Sequence, residues 1–218
     1  MADEFDVRLK TPFSLVLAGP SGAGKTHFLT ELLVNHKVLI DREPDVILYL
    51  YGEYLQDTFN KLKRIFGDKI NFVKGLNFEI EQFDGKKNNF IIIDDLIQEA
   101  VVSREVNDLF TRASHHRSIN VILISQNIFC QGPFSVSINR NAHYVVVFKS
   151  PRDVSQLNCL AKQIMPGKTK VILDSYKDST LRNHGYLLLD FKQSTPDNLR
   201  LRTNILPSEA PQFVYVAK

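Results

Sequence analysis

The run Gly19-Pro20-Ser21-Gly22-Ala23-Gly24-Lys25-Thr26 interleaves glycines with small residues and closes on a lysine and a threonine. A backbone that curls this tightly can aim consecutive N–H groups at one point, and a helix starting after it adds the partial positive charge of its N-terminus. Such a nest suits the oxygens of a phosphate chain. The spacing fits G-x-x-x-x-G-K-[ST], directly after one apolar run and directly before a helical pattern. In that motif Lys25 bridges the β and γ phosphates, and the Thr26 hydroxyl serves a hard cation that keeps several waters and needs only one or two protein oxygens. All eight residues are therefore candidate nucleotide-binding residues, with ATP and Mg2+ as the expected ligands.

A second constellation lies at the end of another apolar run, Phe90-Ile91-Ile92-Ile93-Asp94-Asp95-Leu96. Paired carboxylates at a strand end beside a phosphate loop divide the work: Asp94 would hold the metal through a water, and Asp95 would act as general base on the attacking water. A third run, Val121-Ile122-Leu123-Ile124-Ser125, ends in Gln126-Asn127. Gln126 is the candidate to sense the γ-phosphate and orient that water. Arg117 and Arg140 precede the fourth and fifth apolar runs, and each could face a neighbouring subunit's nucleotide and act there in trans. His115, His116 and Cys130 do not make a metal set, because adjacent histidines diverge and a fourth ligand is missing. His143 reads as a hydrogen-bonded structural histidine.

These groups must be positioned by the elements around them. Near-continuous apolar runs at 13–18, 46–50, 90–93, 121–125 and 144–148 predict strands buried on both faces, hence a parallel sheet. Helical patterns at 26–35, 55–65, 101–114 and 155–165 alternate with them, so helices must cover both faces. Shorter, partly antiparallel edge strands are expected at 171–173, 186–191 and 199–203. The fold class is α/β, a P-loop domain over 1–206, with a core at 10–165, a strand extension at 166–206 and a tail at 207–218. The strand at 46–50 separates the phosphate-loop strand from the carboxylate strand. That arrangement belongs to the P-loop ATPases with an added strand and a dedicated catalytic acid, and argues against nucleotide kinases and GTPases.

Composition sets the outer bounds. The chain has 218 residues, 44% hydrophobic and 23% charged, and its longest apolar runs fall well short of a membrane span. The opening Met-Ala-Asp-Glu-Phe-Asp has neither the basic nor the apolar region of a secretory signal, and two cysteines make no disulfide framework, so an intracellular protein without a membrane partner is expected. The net charge of +3 is unevenly spread: residues 1–103 carry 12 basic and 16 acidic side chains, residues 104–218 carry 15 and 8. A polyanion should meet mainly the second half.

At these residues the sequence resembles a known family. The phosphate loop, the Ile91-to-Leu96 strand end, the segment His115-to-Asn127 and the segment Asn139-to-Asp153 together resemble the poxvirus-type genome-packaging ATPases of the FtsK/HerA superfamily. The nearest likeness is to the versions in Polinton (Maverick) elements, adintoviruses and virophages. The resemblance implies a RecA-like core with strand order 5-1-4-3-2, a homo-oligomeric ring of five or six subunits, and ATP-driven translocation of double-stranded DNA into a capsid, whose protein is a further candidate partner. It also implies a place in the host nucleus or a cytoplasmic virus factory, or in the virion. Asp95 stands where many members carry Glu, one methylene longer. Two readings compete with a motor: a switch-type ATP-binding loader that hydrolyses slowly, and a small-molecule phosphotransferase, for which the sequence offers neither lid nor acceptor pocket.

Overall fold

Five of the strands follow directly from the apolar runs, because a segment apolar at every position can be satisfied only with both faces covered. The computed structural model describes residues 6–113, 117–128, 132–152 and 154–216. In chain order the elements are β1 (Ser14–Ala18), α1 (Lys25–Val34), α2 (His36–Leu39), β2 (Val46–Tyr51), α3 (Gln56–Phe66), β3 (Ile70–Lys74), β4 (Asn89–Asp94), α4 (Ile97–Ala100), α5 (Arg104–Asp108), β5 (Ile119–Ser125), α6 (Ser135–Asn141), β6 (Tyr144–Phe148), α7 (Val154–Ile164), α8 (Thr169–Ser179), β7 (Tyr186–Asp190), β8 (Leu201–Thr203) and β9 (Phe213–Tyr215). The nine strands form one sheet in the order β3-β2-β4-β5-β1-β6-β7-β8-β9. The five strands expected from the sequence stand in the implied order, with β3 added outside β2 and β7 to β9 added outside β6. Pairing is parallel from β3 to β6 and antiparallel from there on.

The two-residue period of each strand sorts its side chains between two cores. Leu15 and Leu17 of β1 face Phe28, Leu29, Leu32 and Leu33 of α1 and Phe59 and Leu62 of α3. Val16 and Ala18 face the opposite layer, with Val106 of α5, Ile138 of α6, Leu157 and Ala161 of α7, and Ile172 and Tyr176 of α8. Helices thus cover both faces, as expected. Fully burying one such Leu, Ile or Phe stabilises the fold by roughly 1.5–3 kcal/mol, so a charge placed mid-strand would break the sheet.

Three expectations need correction. Residues 171–173 are not a strand but lie inside α8, where Ile172, Ser175, Tyr176 and Ser179 are buried at helical spacing. The helix expected over 101–114 is shorter and irregular: α4, then α5 capped by the Ser103 hydroxyl, then a π-helical turn over Leu109–Ala113. The segment 207–218, expected as a tail, contributes β9, which pairs with β8 through Leu201 and Tyr215, Arg202 and Val214, and Thr203 and Phe213.

Candidate nucleotide site

The phosphate loop leaves β1 at the carboxyl end of the parallel sheet, where its neighbours β5 and β6 also end. A Cβ at Gly19 would sit 2.7 Å from Cβ of Phe148, so the loop can pass over β6 there only without a side chain. Gly24 turns into α1 with φ of 99°, in the left-handed region that favours glycine. The Lys25 ammonium is buried and donates to the carbonyls of Gly19 at 2.6 Å and Pro20 at 2.8 Å. Burial pushes its pKa down, and the charges of Asp94 and Asp95 pull it back up.

Across from the loop, β4 delivers Asp94 into the same cleft, a volume of about 340 Å3 that also takes in Thr26, Glu53, Asp95 and Gln126. The sites expected for nucleotide, metal, base and sensor are therefore brought together. Asp94 is buried and accepts a 2.7 Å hydrogen bond at Oδ2 from the Tyr49 hydroxyl on β2. Burial raises the Asp94 pKa; the Tyr49 bond and Lys25 oppose the rise, and Asp95 adds to it. Asp95 is exposed, with φ of 57°. Its carbonyl oxygen lies 2.5 Å from where a Cβ of Gly52 would be, and Gly52 N–H donates to the Asp94 carbonyl at 3.0 Å. The turn that aims the second carboxylate thus depends on glycine in the loop after β2.

A Mg2+ ion fits this donor set. The cleft offers one buried carboxylate held at one oxygen by Tyr49, and a threonine hydroxyl, both hard oxygen donors. Such a pair suits a hard cation that keeps most of its waters and takes only one or two protein oxygens.

The two arginines are placed elsewhere. Arg117 precedes β5 and Arg140 ends α6 before β6, so both stand at the amino ends of strands whose carboxyl ends flank the cleft. With β5 seven residues long, the strand separates its two ends by about 20 Å. Arg117 Nη1 donates to the carbonyls of Ile80, Glu81 and Phe83 at 3.3–3.5 Å. Arg140 is exposed. Neither reaches the cleft of its own chain. His143 is the hydrogen-bonded structural histidine expected: Nδ1 accepts from Ser14 N–H at 3.0 Å and lies 2.9 Å from the Ser14 hydroxyl, tying β6 to β1. His115, His116 and Cys130 lie outside the described residues.

Sequence reasoning missed Tyr49 and Gly52. A tyrosine in a strand buried on both faces must find a partner for its hydroxyl, and the adjacent strand ending in Asp94 could have named it. The glycine had no signal apart from its position after a strand. A prediction follows from the raised Asp94. Its folded-state pKa exceeds its unfolded one, so ionised Asp94 costs stability: the contribution present at acid pH is lost as pH rises through the raised pKa. Asp94→Asn should therefore raise the melting temperature at pH 7, with the gain shrinking towards acid pH, while hydrolysis falls. A melting temperature that drops equally at both pH values would contradict this assignment.

No family model matches the chain, and no curated protein does. Solved structures do resemble it. The genome packaging NTPase B204 of Sulfolobus turreted icosahedral virus 2, in complex with sulfate, aligns over 86% of this chain and 95% of its own with a TM-score of 0.57 and 16% identity. The same protein with ATP-gammaS aligns over 94% and 96%, with a TM-score of 0.53 and 14% identity. B204, the DNA-packaging ATPase of Sulfolobus turreted icosahedral virus, aligns over 96% and 100%, with a TM-score of 0.54 and 16% identity. With its mostly parallel nine-stranded sheet and helices on both faces, the chain shares the P-loop fold of these viral packaging NTPases.

Proposed function

We propose that the protein is a Mg2+-dependent ATPase of the FtsK/HerA type that moves double-stranded DNA into a capsid, working as a ring of identical subunits. The observation that carries the reading is the convergence of Lys25, Thr26, Asp94, Asp95 and Gln126 on one cleft at the carboxyl end of the sheet. The fold shared with viral packaging NTPases supports it. The finer likeness to Polinton, adintovirus and virophage ATPases, and a site of action in the nucleus or a virus factory, belong to the same proposal. Among the described residues no helix is long and apolar enough to cross a membrane.

Thr26 and Asp94 are the residues that would hold Mg2+, which when bound supplies charge neutralisation at the phosphate oxygens. The chain's own groups do the rest. Loop N–H groups and Lys25 cover the phosphate chain, and Tyr49 fixes the Asp94 carboxylate in place. Gln126 orients a water in line with the γ-phosphorus. Asp95 takes a proton from that water as its oxygen bonds to phosphorus and the β–γ bridging oxygen leaves with ADP.

Steady-state hydrolysis separates a motor from a switch. A motor turns over continuously on duplex DNA and forms closed rings around it in electron micrographs with an ATP analogue; a switch turns over once per loading event. Because phosphates are the feature common to every genome sequence, affinity for random duplexes should fall steeply with salt and show no base preference. A strong sequence preference at fixed salt would count against translocation.

The trans role of the arginines is part of this proposal. The exposed Arg140 is better placed to reach another copy than Arg117, whose guanidinium is engaged by the carbonyls of residues 80–83. Arg140→Ala should bind ATP normally but turn over poorly. Mixed with Lys25→Ala it should regain part of the activity, since a mixed interface has both groups intact. Mixtures that co-assemble and stay inactive would remove Arg140 from the site.

A further inference from the structure

Asp94 enters its cleft with one carboxylate oxygen already engaged. Phe90, Ile92 and Asp94 alternate onto one face of β4, and Tyr49 of β2 stands opposite Ile92 in the pairing register, in the layer that also holds α1 and α3. Asp94 is therefore the diagonal neighbour of Tyr49, a separation that a long aromatic side chain spans. The hydroxyl crosses it and donates to Oδ2 at 2.7 Å. Asp95 N–H gives the same carboxylate a further hydrogen bond.

Tyr49 has no room to leave this position. It is fully buried, its ring centroid lies 5.2 Å from that of Phe59 on α3 and 5.5 Å from that of Phe72 on β3, and those two rings stack on each other at 4.4 Å. In an interior packed as densely as an organic crystal, a ring so enclosed does not swing its hydroxyl aside for a ligand. Oδ2 is thus a committed oxygen, although Asp94 itself lines the cleft.

We propose that Tyr49 sets the cation preference of the site by denying Asp94 two-oxygen coordination, an inference that rests on the Mg2+-dependent ATPase reading. The hard divalent cations differ in what they ask of a carboxylate. Mg2+ demands an octahedral shell and keeps several waters, so one carboxylate oxygen, or a water between, satisfies it; Ca2+ takes about six to eight oxygens at longer distances and readily uses both oxygens of one carboxylate. With Oδ2 engaged by Tyr49, Asp94 meets the first demand and not the second. Glu53 and Asp95 are exposed on the cleft and can serve either ion, so the difference is made at Asp94. Tyr49 acts on the cation only through Asp94 and is a positioning residue.

The test is a binding measurement, in which a fluorescent, non-hydrolysable ATP analogue is titrated onto the protein at increasing Mg2+ or Ca2+. Wild-type protein should favour Mg2+ over Ca2+ by more than the free analogue does. Tyr49→Phe removes only the hydroxyl and keeps the ring against Phe59 and Phe72. It should shift the ratio of Mg2+ to Ca2+ affinity about tenfold towards Ca2+, the scale on which the partner of a metal-holding side chain acts. A purely structural role would weaken both cations alike. An unchanged ratio, or equal losses, in a folded variant overturns the assignment. Wild-type protein that favours Mg2+ no more than the free analogue does overturns it whether or not the variant folds. An analogue that binds wild-type protein equally well with Mg2+ and with no divalent cation would instead overturn the Mg2+-dependent ATPase reading, a separate outcome.

Discussion

Lys25→Ala is expected to lower ATP turnover about a thousandfold, the scale of losing one preorganised charge on a developing oxyanion. The magnitude follows from the company Lys25 keeps. Of the described residues lining the candidate nucleotide cleft, it is the one lysine or arginine, against the carboxylates of Glu53, Asp94 and Asp95. Its removal leaves acids facing a polyanionic substrate, so ATP affinity should drop together with turnover. Stability should change little, because relief of the penalty on the buried Lys25 charge offsets the loss of its bonds to the Gly19 and Pro20 carbonyls and of its attraction to Asp94. A coupled assay and a melting curve on the same preparation check both halves. An active Lys25→Ala protein would remove the phosphate loop from the chemistry.

Asp95→Asn should separate binding from hydrolysis. Asn keeps the shape and tolerates the left-handed backbone at φ of 57°, so the turn against Gly52 survives. Asp94, Thr26 and Lys25 are untouched, so nucleotide still binds. The function expected to be lost, under the proposed role of Asp95, is proton acceptance from water, worth about 10²–10⁴ in rate for a positioned base. Single-turnover hydrolysis with nucleotide bound is the measurement. If the rate stays within a few-fold of wild type, the base is another acid on the cleft, and Glu53, exposed on its rim, is the next to change.

The parts of this site that were legible in the sequence are those whose chemistry dictates local spacing. The phosphate loop needs its glycines and lysine in a fixed register, and Asp94 with Asp95 must end an apolar strand, so both could be read from residue order. The five inner strands were legible because burial on both faces makes every position apolar. The strand β3 escaped notice because an edge strand need not be apolar throughout: Asn71 and Lys74 are exposed in it. The misread stretch 171–173 is two β-branched residues and a leucine inside a helix whose buried face has a longer period, and tertiary packing overrode local propensity. The Tyr49 bond to Asp94 depends on a contact between segments distant in the chain, which no local pattern encodes.

The seating of β1 also carries a consequence for biogenesis. Ser14 pairs with Val121 and Leu15 with Tyr144, so the strand that launches the phosphate loop acquires its partners only after most of the chain has been made. Such long-range parallel closure is slow relative to local contacts. During synthesis, β1 and its apolar neighbours must wait unpaired while the intervening β2, β3 and β4 emerge. A fragment ending near residue 110 would contain the whole phosphate-loop sequence and bind no phosphate. Nascent chains of increasing length, arrested on the ribosome and probed with a fluorescent nucleotide, should gain binding only once β6 has cleared the exit tunnel.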